Sequence, residues 1–447
     1  MTLSFEVMAP LMFAGLIFFL LIGYPVAFSL SFVGLSFGFL AIYLGHFQFI
    51  LLQALPERIF GIASNQLLLS IPFFTFMGAI LERCGLAEDL LDTMGQLFGP
   101  VRGGLAYAVI LVGALLGAIT GTVAASVIAM GLISLPVMQR YGYDPKVSTG
   151  VIAASGTITQ IIPPSLVLVV LADAMGRSVG DMYAGAFVPS FILVGLFCLW
   201  IFIVSIVWPE KVPALPMEVR TATLGVLFVR CMVSMVPSLV LIFMVLGTIL
   251  MGLATPTEGG AMGAVGALAL AILHRRLTWD LLKQSMDTTL KLTTMVMFIL
   301  VGSTVFSLTF RGVDGDLWVE HMLSHLPGGV IGFLIFVNVF VFFLAFFLDY
   351  FEIAFIIIPL LAPVAEKMGI DLIWFGVLIG VNMQTSFMHP PFGFALFYLR
   401  SVSPPEIKST DILLGSIPWV FIMIIMVLLV ILFPGMVDLS IKIFGRF

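Results

Sequence analysis

The sequence repeats itself at an offset of 227 residues, and the repeated part carries a double proline inside apolar sequence. Residues 85–164 align with 312–391 without a gap. The match pairs Gly85 with Gly312, Asp89 with Asp316, Pro100 with Pro327, Ala118 with Ala345, Pro136 with Pro363, Gly142 with Gly369, Asp144 with Asp371, and Pro163-Pro164 with Pro390-Pro391. Gly, Pro and Asp mark special backbone geometry, so their coincidence over a long ungapped span points to one structural unit used twice. Further out, "GYPVAFSLSFVGLSFGFLA" from Gly23 parallels "ATPTEGGAMGAVGALALA" from Ala254, each with a turn proline before a helix rich in small residues. The chain reads as repeat one at 1–208, a cytoplasmic linker at 209–231, and repeat two at 232–447.

A proline pair in apolar sequence is tolerable only in the right solvent. Hydrophobic residues make up 61% of the chain and charged ones 10%, with mean hydropathy +1.21. Soluble domains are nearer half apolar and a quarter charged, so this composition indicates a polytopic membrane protein in a lipid bilayer. The first apolar run follows Glu6 with no Lys or Arg before it and no cleavage-site pattern after it, so it reads as a retained helix. Cys84, Cys198 and Cys231 are scattered without metal or redox spacing. A net charge of -5 spread over short loops offers nucleic acid no basic patch.

The apolar segments of repeat one fall at about 8–22, 25–44, 67–83, 105–139, 148–172 and 185–207. A crossing takes about 20 residues. Segment 105–139 is too long for one crossing, and "GAITGT" at 117–122 interrupts it, which leaves short arms. This predicts a re-entrant hairpin, the alternative being two complete helices. With hairpins at 105–139 and 332–366, each repeat crosses five times, and an odd number inverts the second repeat. With both termini periplasmic, thirteen Lys and Arg fall on the cytoplasmic side and six on the other, as the positive-inside rule favours. The amphipathic segments 47–66 and 278–292 are expected to lie along opposite interfaces as arms. The fold class expected is therefore an all-α polytopic membrane protein of two inverted-topology repeats, each with about five crossings, a re-entrant hairpin and a discontinuous helix (148–172 and 373–399).

Proline lacks an N–H and clashes with the preceding turn, so "SGTITQIIPPS" and "NMQTSFMHPPF" should unwind inside the bilayer. Unwound backbone there must be buried in protein or line a wet cavity. Its carbonyls and nearby hydroxyls suit a hard cation, and half-helix N-termini suit an anion. Around the first break stand Ser155, Thr157, Thr159, Gln160 and Ser165, and around the second Asn382, Gln384, Thr385, Ser386 and His389. The hairpin tips add Thr120, Gly121, Thr122 and Ser126, and Asp349 with Glu352; Thr122 aligns with Asp349. Each hydroxyl has an alternative use, bonding back to its own helix. Asp349 differs, because an ionisable group deep in apolar sequence is functional by default. His389 reads either as a proton carrier or as a hydrogen-bonded structural histidine, and Glu258 in "TPTEGG" as a helix cap.

At these residues the chain resembles a known family. "GALLGAITGTVAASV", "SGTITQIIPPS", "TPTEGGA", "LDYFEIAFIIIPLLAPV" and "NMQTSFMHPPFGFALFYL" are, in this order, similar to the large membrane (M-type) subunit of TRAP (tripartite ATP-independent periplasmic) transporters. The resemblance covers essentially the whole chain. It implies an elevator-type, sodium-driven importer in a bacterial inner membrane, which takes an organic acid anion from a periplasmic binding protein and works with a small four-helix membrane subunit. Carried over by motif, Thr120, Gly121, Thr122, Ser155, Gly156 and Thr157 form one sodium site, and Asp349, Asn382, Met383 and Thr385 the other. Ser126, Thr159, Ser165, Gln384, Ser386 and His389 remain for substrate. Gln160 and His389 depart from the better-known sialic acid members, and "PPFGFALFYLR" resembles a subgroup associated with 2-oxo acids, lactate and aromatic carboxylates. Both halves are used by the repeat, so the small subunit is a separate chain.

No GxxxxGK[ST] occurs, so the chain is not itself a P-loop ATPase. An intramembrane enzyme is disfavoured because the repeat duplicates binding-type residues and the acidic ones have no symmetric partner. No organic cofactor is expected. A channel and a proton-coupled carboxylate carrier are the other readings, the latter because Asp349 and His389 both titrate.

Overall fold

The computed structural model describes residues 5–120, 122–216 and 224–445. Its first half comprises α1 (Phe5–Ile22), α2 (Val26–Tyr43), the short α3 (Phe49–Leu52) and α4 (Leu55–Ala63), α5 (Ser70–Arg83), α6 (Leu86–Leu97), α7 (Gly104–Thr120) and α8 (Val123–Arg140). Then follow α9 (Pro145–Thr157), a 3-10 turn at Ile158–Gln160, α10 (Leu166–Ala174) and α11 (Val179–Val207). The second half comprises α12 (Leu224–Leu250), α13 (Pro256–Leu273), α14 (Trp279–Gly312), α15 (Gly315–Ser324) and α16 (Gly329–Leu344). After these, α17 (Tyr350–Glu352) runs through a π-helical stretch at Ile353–Ile357 into α18 (Ile358–Lys367), followed by α19 (Leu372–Met388), α20 (Phe394–Val402), α21 (Ser409–Leu432) and α22 (Gly435–Phe444). The described residues form no strand. Seven of their helices are long and apolar enough to cross a membrane, or eight if the bent pair α15 and α16 makes one span.

The two halves share an element order. A short amphipathic helix (α6, α15) precedes a helix pair (α7–α8, α16–α18), then a helix that stops at a proline pair (α9, α19), a short helix beyond it (α10, α20) and a long apolar helix (α11, α21). Both proline pairs, Pro163-Pro164 and Pro390-Pro391, are joined by cis peptide bonds. The halves differ in the arm. In the first, Asn65 Oδ1 accepts from Leu67 N at 2.9 Å and the chain turns between α4 and α5. In the second, no proline interrupts 279–312, so segment 278–292 is the start of the continuous α14 rather than a separate piece. Residues 217–223 of the expected linker lie outside the described residues, and α12 begins at Leu224, within the 209–231 span.

The helices form two groups. In one, α1, α2, α4, α5, α13 and α14 pack together, with α12 and α15 at its edge; in the other, α7 to α11 pack with α16 to α22. Small residues set the first group. A Cβ on Gly34 of α2 would lie 2.9 Å from the backbone of Val305 and Phe306 in α14, and Thr309 Oγ1 donates to Gly34 O at 2.9 Å. Backbone cannot step aside as a side chain can. Gly34→Leu is expected to lower stability by about 1–3 kcal/mol through overpacking, measured as a drop in the melting temperature of the purified protein. Gly61→Ala, with nothing within 4 Å of the new Cβ, is the neutral comparison. At the start of α13, Thr255 and Glu258 form a reciprocal capping box, the role expected of Glu258.

Candidate functional site

Asp144 starts α9 by accepting from Lys146 N at 2.8 Å and Val147 N at 3.3 Å, with Pro145 at the first helical position. The helix tightens at 158–160 and stops before two residues that have no N–H to give. Beyond the prolines Ser165 caps α10, accepting from Val167 N at 3.2 Å. Two carbonyls released by the break already have protein donors, Gln160 O from Ser165 Oγ at 2.5 Å and Ile161 O from Ser190 Oγ at 3.0 Å, and Ser165 O, which takes the first helical bond of α10 from Val169 N, also accepts from Tyr183 Oη at 3.4 Å. Two of these donors come from α11. The unused polar atoms are instead side-chain ones. Ser155 Oγ, Thr159 Oγ1 and both ends of the Gln160 amide are buried without a partner, while Thr157 Oγ1 bonds back to Ala154 O at 2.8 Å.

Hairpin one lies directly against these atoms. A Cβ on Gly113 of α7 would fall 2.7 Å from Ser155 Cβ, and one on Gly117 would fall 2.9 Å from Thr159 Cα. From the α9 side, a Cβ on Gly156 would meet Val127 Cγ2 of α8 at 2.2 Å. Three glycines thus bring both hairpin arms to the helix break. Thr122 is the extended residue before α8 and makes no side-chain cap; Ser126, one turn on, is buried. Gly121 and the side chain of Thr120 lie outside the described residues.

The second break is built differently. Asp371 caps α19 through Trp374 N at 2.8 Å, and the helix ends at Met388. Asn382 Nδ2 donates to Asn338 O of α16 at 2.9 Å, and Thr385 Oγ1 donates to Asn382 O at 2.6 Å with Asn382 Oδ1 at 3.3 Å. Ser386 Oγ donates to Met383 O, and both ends of the Gln384 amide are buried and unpartnered. The His389 ring stacks on Phe346, centroids 3.8 Å apart and planes 21° apart, with Nδ1 3.3 Å from Thr385 O and Nε2 buried without a partner. Asp349 precedes α17 in a reciprocal box: its Oδ1 accepts from Phe351 N at 2.6 Å and Glu352 N at 3.4 Å, and Glu352 Oε2 accepts from Asp349 N at 2.9 Å. The body of α19 lies against the first break, since a Cβ on Gly380 would come 3.2 Å from Ile161 Cδ1.

Ser155, Gly156 and Thr159 therefore meet hairpin one, and Asn382 and His389 meet hairpin two, while Thr385 bonds within its own helix to Asn382. Asp349 makes its hydrogen bonds locally at the hairpin tip. Asn338 and the buried, unpartnered Tyr350 hydroxyl were not among the residues picked from sequence. Asn338 was visible as the one polar residue in "GVIGFLIFVNVFVFFL", a signal of the same kind as Asp349. Among the described residues no group of three or more His, Cys, Asp or Glu comes together, so a cation at these breaks would meet mainly neutral oxygens.

The profile of the family described as "Tripartite ATP-independent periplasmic transporter, DctM component" matches residues 13–436. The chain belongs to this family. A C4-dicarboxylate TRAP transporter large permease protein from Pseudomonas aeruginosa is 31% identical over 392 residues, covering 86% of this permease and 88% of that protein. The 2,3-diketo-L-gulonate TRAP transporter large permease protein of Escherichia coli is 27% identical over 439 residues, covering 97% and 99%. An isethionate TRAP transporter permease from Oleidesulfovibrio alaskensis is 27% identical over 410 residues, 90% of this permease but 61% of that longer chain. In fold, the permease is similar to the Alcanivorax borkumensis YdaH transporter, whose crystal structure is described as having an unusual topology: TM-score 0.60, 14% identity, 86% of this chain and 88% of that one. It is a multi-pass membrane transport protein, not an enzyme, and as a TRAP large permease it works with a binding protein and a small membrane subunit.

Proposed function

We propose that this permease imports an organic acid anion by sodium symport, the anion arriving from a periplasmic binding protein and the small four-helix subunit being a separate chain. The observation that carries this reading is the pair of helix breaks, each flanked by buried polar side chains without partners: Ser155, Thr159 and Gln160 at one, Gln384 and His389 at the other. Burying such groups unpaired costs about 1–3 kcal/mol each, so they are retained for something that binds. Neutral oxygens suit sodium, and amide N–H groups suit a carboxylate. On this reading Thr120, Gly121, Thr122, Ser155, Gly156 and Thr157 hold one sodium ion, and Asp349, Asn382, Met383 and Thr385 the other. Ser126, Thr159, Ser165, Gln384, Ser386 and His389 face the substrate. The relatives' names, with dicarboxylate, diketo-gulonate and isethionate, support an organic acid anion. Two sodium ions moving with a monoanion carry net charge +1, worth roughly 2.3 kcal/mol per 100 mV in addition to the sodium gradient.

In this mechanism the repeats have inverted topology, both termini are periplasmic and the hairpins are re-entrant. Sodium orders the hairpin tips and creates the anion site, and α7 to α11 with α16 to α22 then move as one body, elevator fashion, against the α1, α2, α5, α13 and α14 group. Proton coupling is the second reading, favoured by the two carboxylates, Asp349 and Glu352, that cap each other's backbone at one hairpin tip. Proteoliposomes containing the permease, its small partner and its binding protein decide between them. Uptake is expected with an inward sodium gradient at equal pH, and uptake driven by a pH gradient in sodium-free buffer would replace sodium with protons.

A further inference from the structure

Helix α16 is apolar throughout except for Asn338. The residue is 9% exposed, and its amide is satisfied on one side only: Nδ2 donates to Leu334 O at 2.8 Å, while Oδ1 is buried and accepts nothing. A lone polar side chain held this way in a membrane helix is costly unless it binds something.

Its surroundings specify what. The Asn338 main-chain carbonyl takes Asn382 Nδ2 at 2.9 Å, and Thr385 Oγ1 gives its proton to Asn382 O at 2.6 Å. An N–H of each asparagine amide is thus directed at a carbonyl, and the Thr385 hydroxyl donates within its own helix, 2.6 Å from Asn382 O and 3.3 Å from Asn382 Oδ1, so this polar set beside the second break is rich in acceptors and Asn338 Oδ1 is the buried oxygen in it that receives no donor. A buried surplus of acceptors is the environment that a dehydrated hard cation completes. The polar pair also ties hairpin two to the second broken helix. Repeat one has Leu111 at the aligned position, so it has no counterpart of this oxygen.

We propose that Asn338 Oδ1 is an additional ligand of the coupling cation in repeat two, acting with Asn382 and Thr385. This rests on the sodium reading above. The test is thermal stabilisation of the purified full-length permease by NaCl against choline chloride at equal ionic strength, without substrate. Asn338→Leu removes the oxygen, and the sodium concentration giving half-maximal stabilisation is expected to rise about tenfold. Asn338→Asp keeps an oxygen and adds charge, and its half-point is expected to fall below that of the unmodified permease. An unshifted half-point in Asn338→Leu overturns the proposal. If that variant does not fold, an unshifted or raised half-point in Asn338→Asp overturns it alone. A permease that shows no sodium-specific stabilisation before any substitution would instead refute sodium coupling itself.

Discussion

Sodium-driven uptake by Asp349→Asn is expected to fall about 100-fold, roughly 2.7 kcal/mol of lost stabilisation along the transport cycle, with expression and melting temperature close to those of the unmodified permease. Asp349 has two jobs that this substitution separates. As the residue before α17 it accepts backbone N–H bonds from Phe351 and Glu352, and asparagine caps a helix about as well as aspartate does. As a carboxyl at a hairpin tip it can offer a negative charge to a cation, which asparagine cannot. Asp349→Ala removes both functions and should lose about 1 kcal/mol of stability as well, so the two variants read together assign the defect to charge or to the cap. Uptake by Asp349→Asn at the normal rate, with unchanged sodium dependence, would leave Asp349 as a cap only and remove it from the cation site.

Gly, Pro and Asp made much of the local architecture legible in the sequence. Proline pairs end α9 and α19 because a missing N–H acts locally, and Asp144 and Asp371 start the same helices through side chains that reach only their own first turn. "GAITGT" falls at the boundary between α7, which ends at Thr120, and α8, which begins at Val123. What distant elements do was not legible. Ser190 of α11 takes up a carbonyl of the first break, so the released backbone there is less available than the local pattern implies. Continuity of α14 is a similar case: the amphipathic stretch 278–292 resembled the first arm in composition, but it has no Asn65-like side chain turning the chain out of the helix. Asn338 escaped notice for another reason. It sits inside an apolar helical arm, away from the proline pairs and the hairpin tip, so no breaker or turn residue in the sequence points to it.

Packing of hairpin one against the first break should be as sensitive to a single methyl group as the site chemistry is to charge. In Gly117→Ala the new Cβ would lie 2.9 Å from Thr159 Cα and 3.2 Å from Thr159 N, and in Gly113→Ala 2.7 Å from Ser155 Cβ and 3.0 Å from Ser155 O. Backbone atoms are among the nearest neighbours in both cases, so α7 must move away from α9 as a body. The cost expected is about 1–3 kcal/mol of stability per substitution. The functional effect should be larger, because Ser155 and Thr159 are the side chains whose buried oxygens have no other partner. Separating the hairpin from them admits water and spoils the geometry of a cation site, and a misplacement of about 1 Å can cost 100-fold in a positioned site. Gly195→Ala in α11, where nothing lies within 4 Å of the added methyl, changes neither quantity. Sodium-driven uptake and melting temperature measured on the three variants check this together. Normal uptake by both Gly117→Ala and Gly113→Ala would mean that hairpin one does not need this close seat on α9, and that the first cation site is not formed between them.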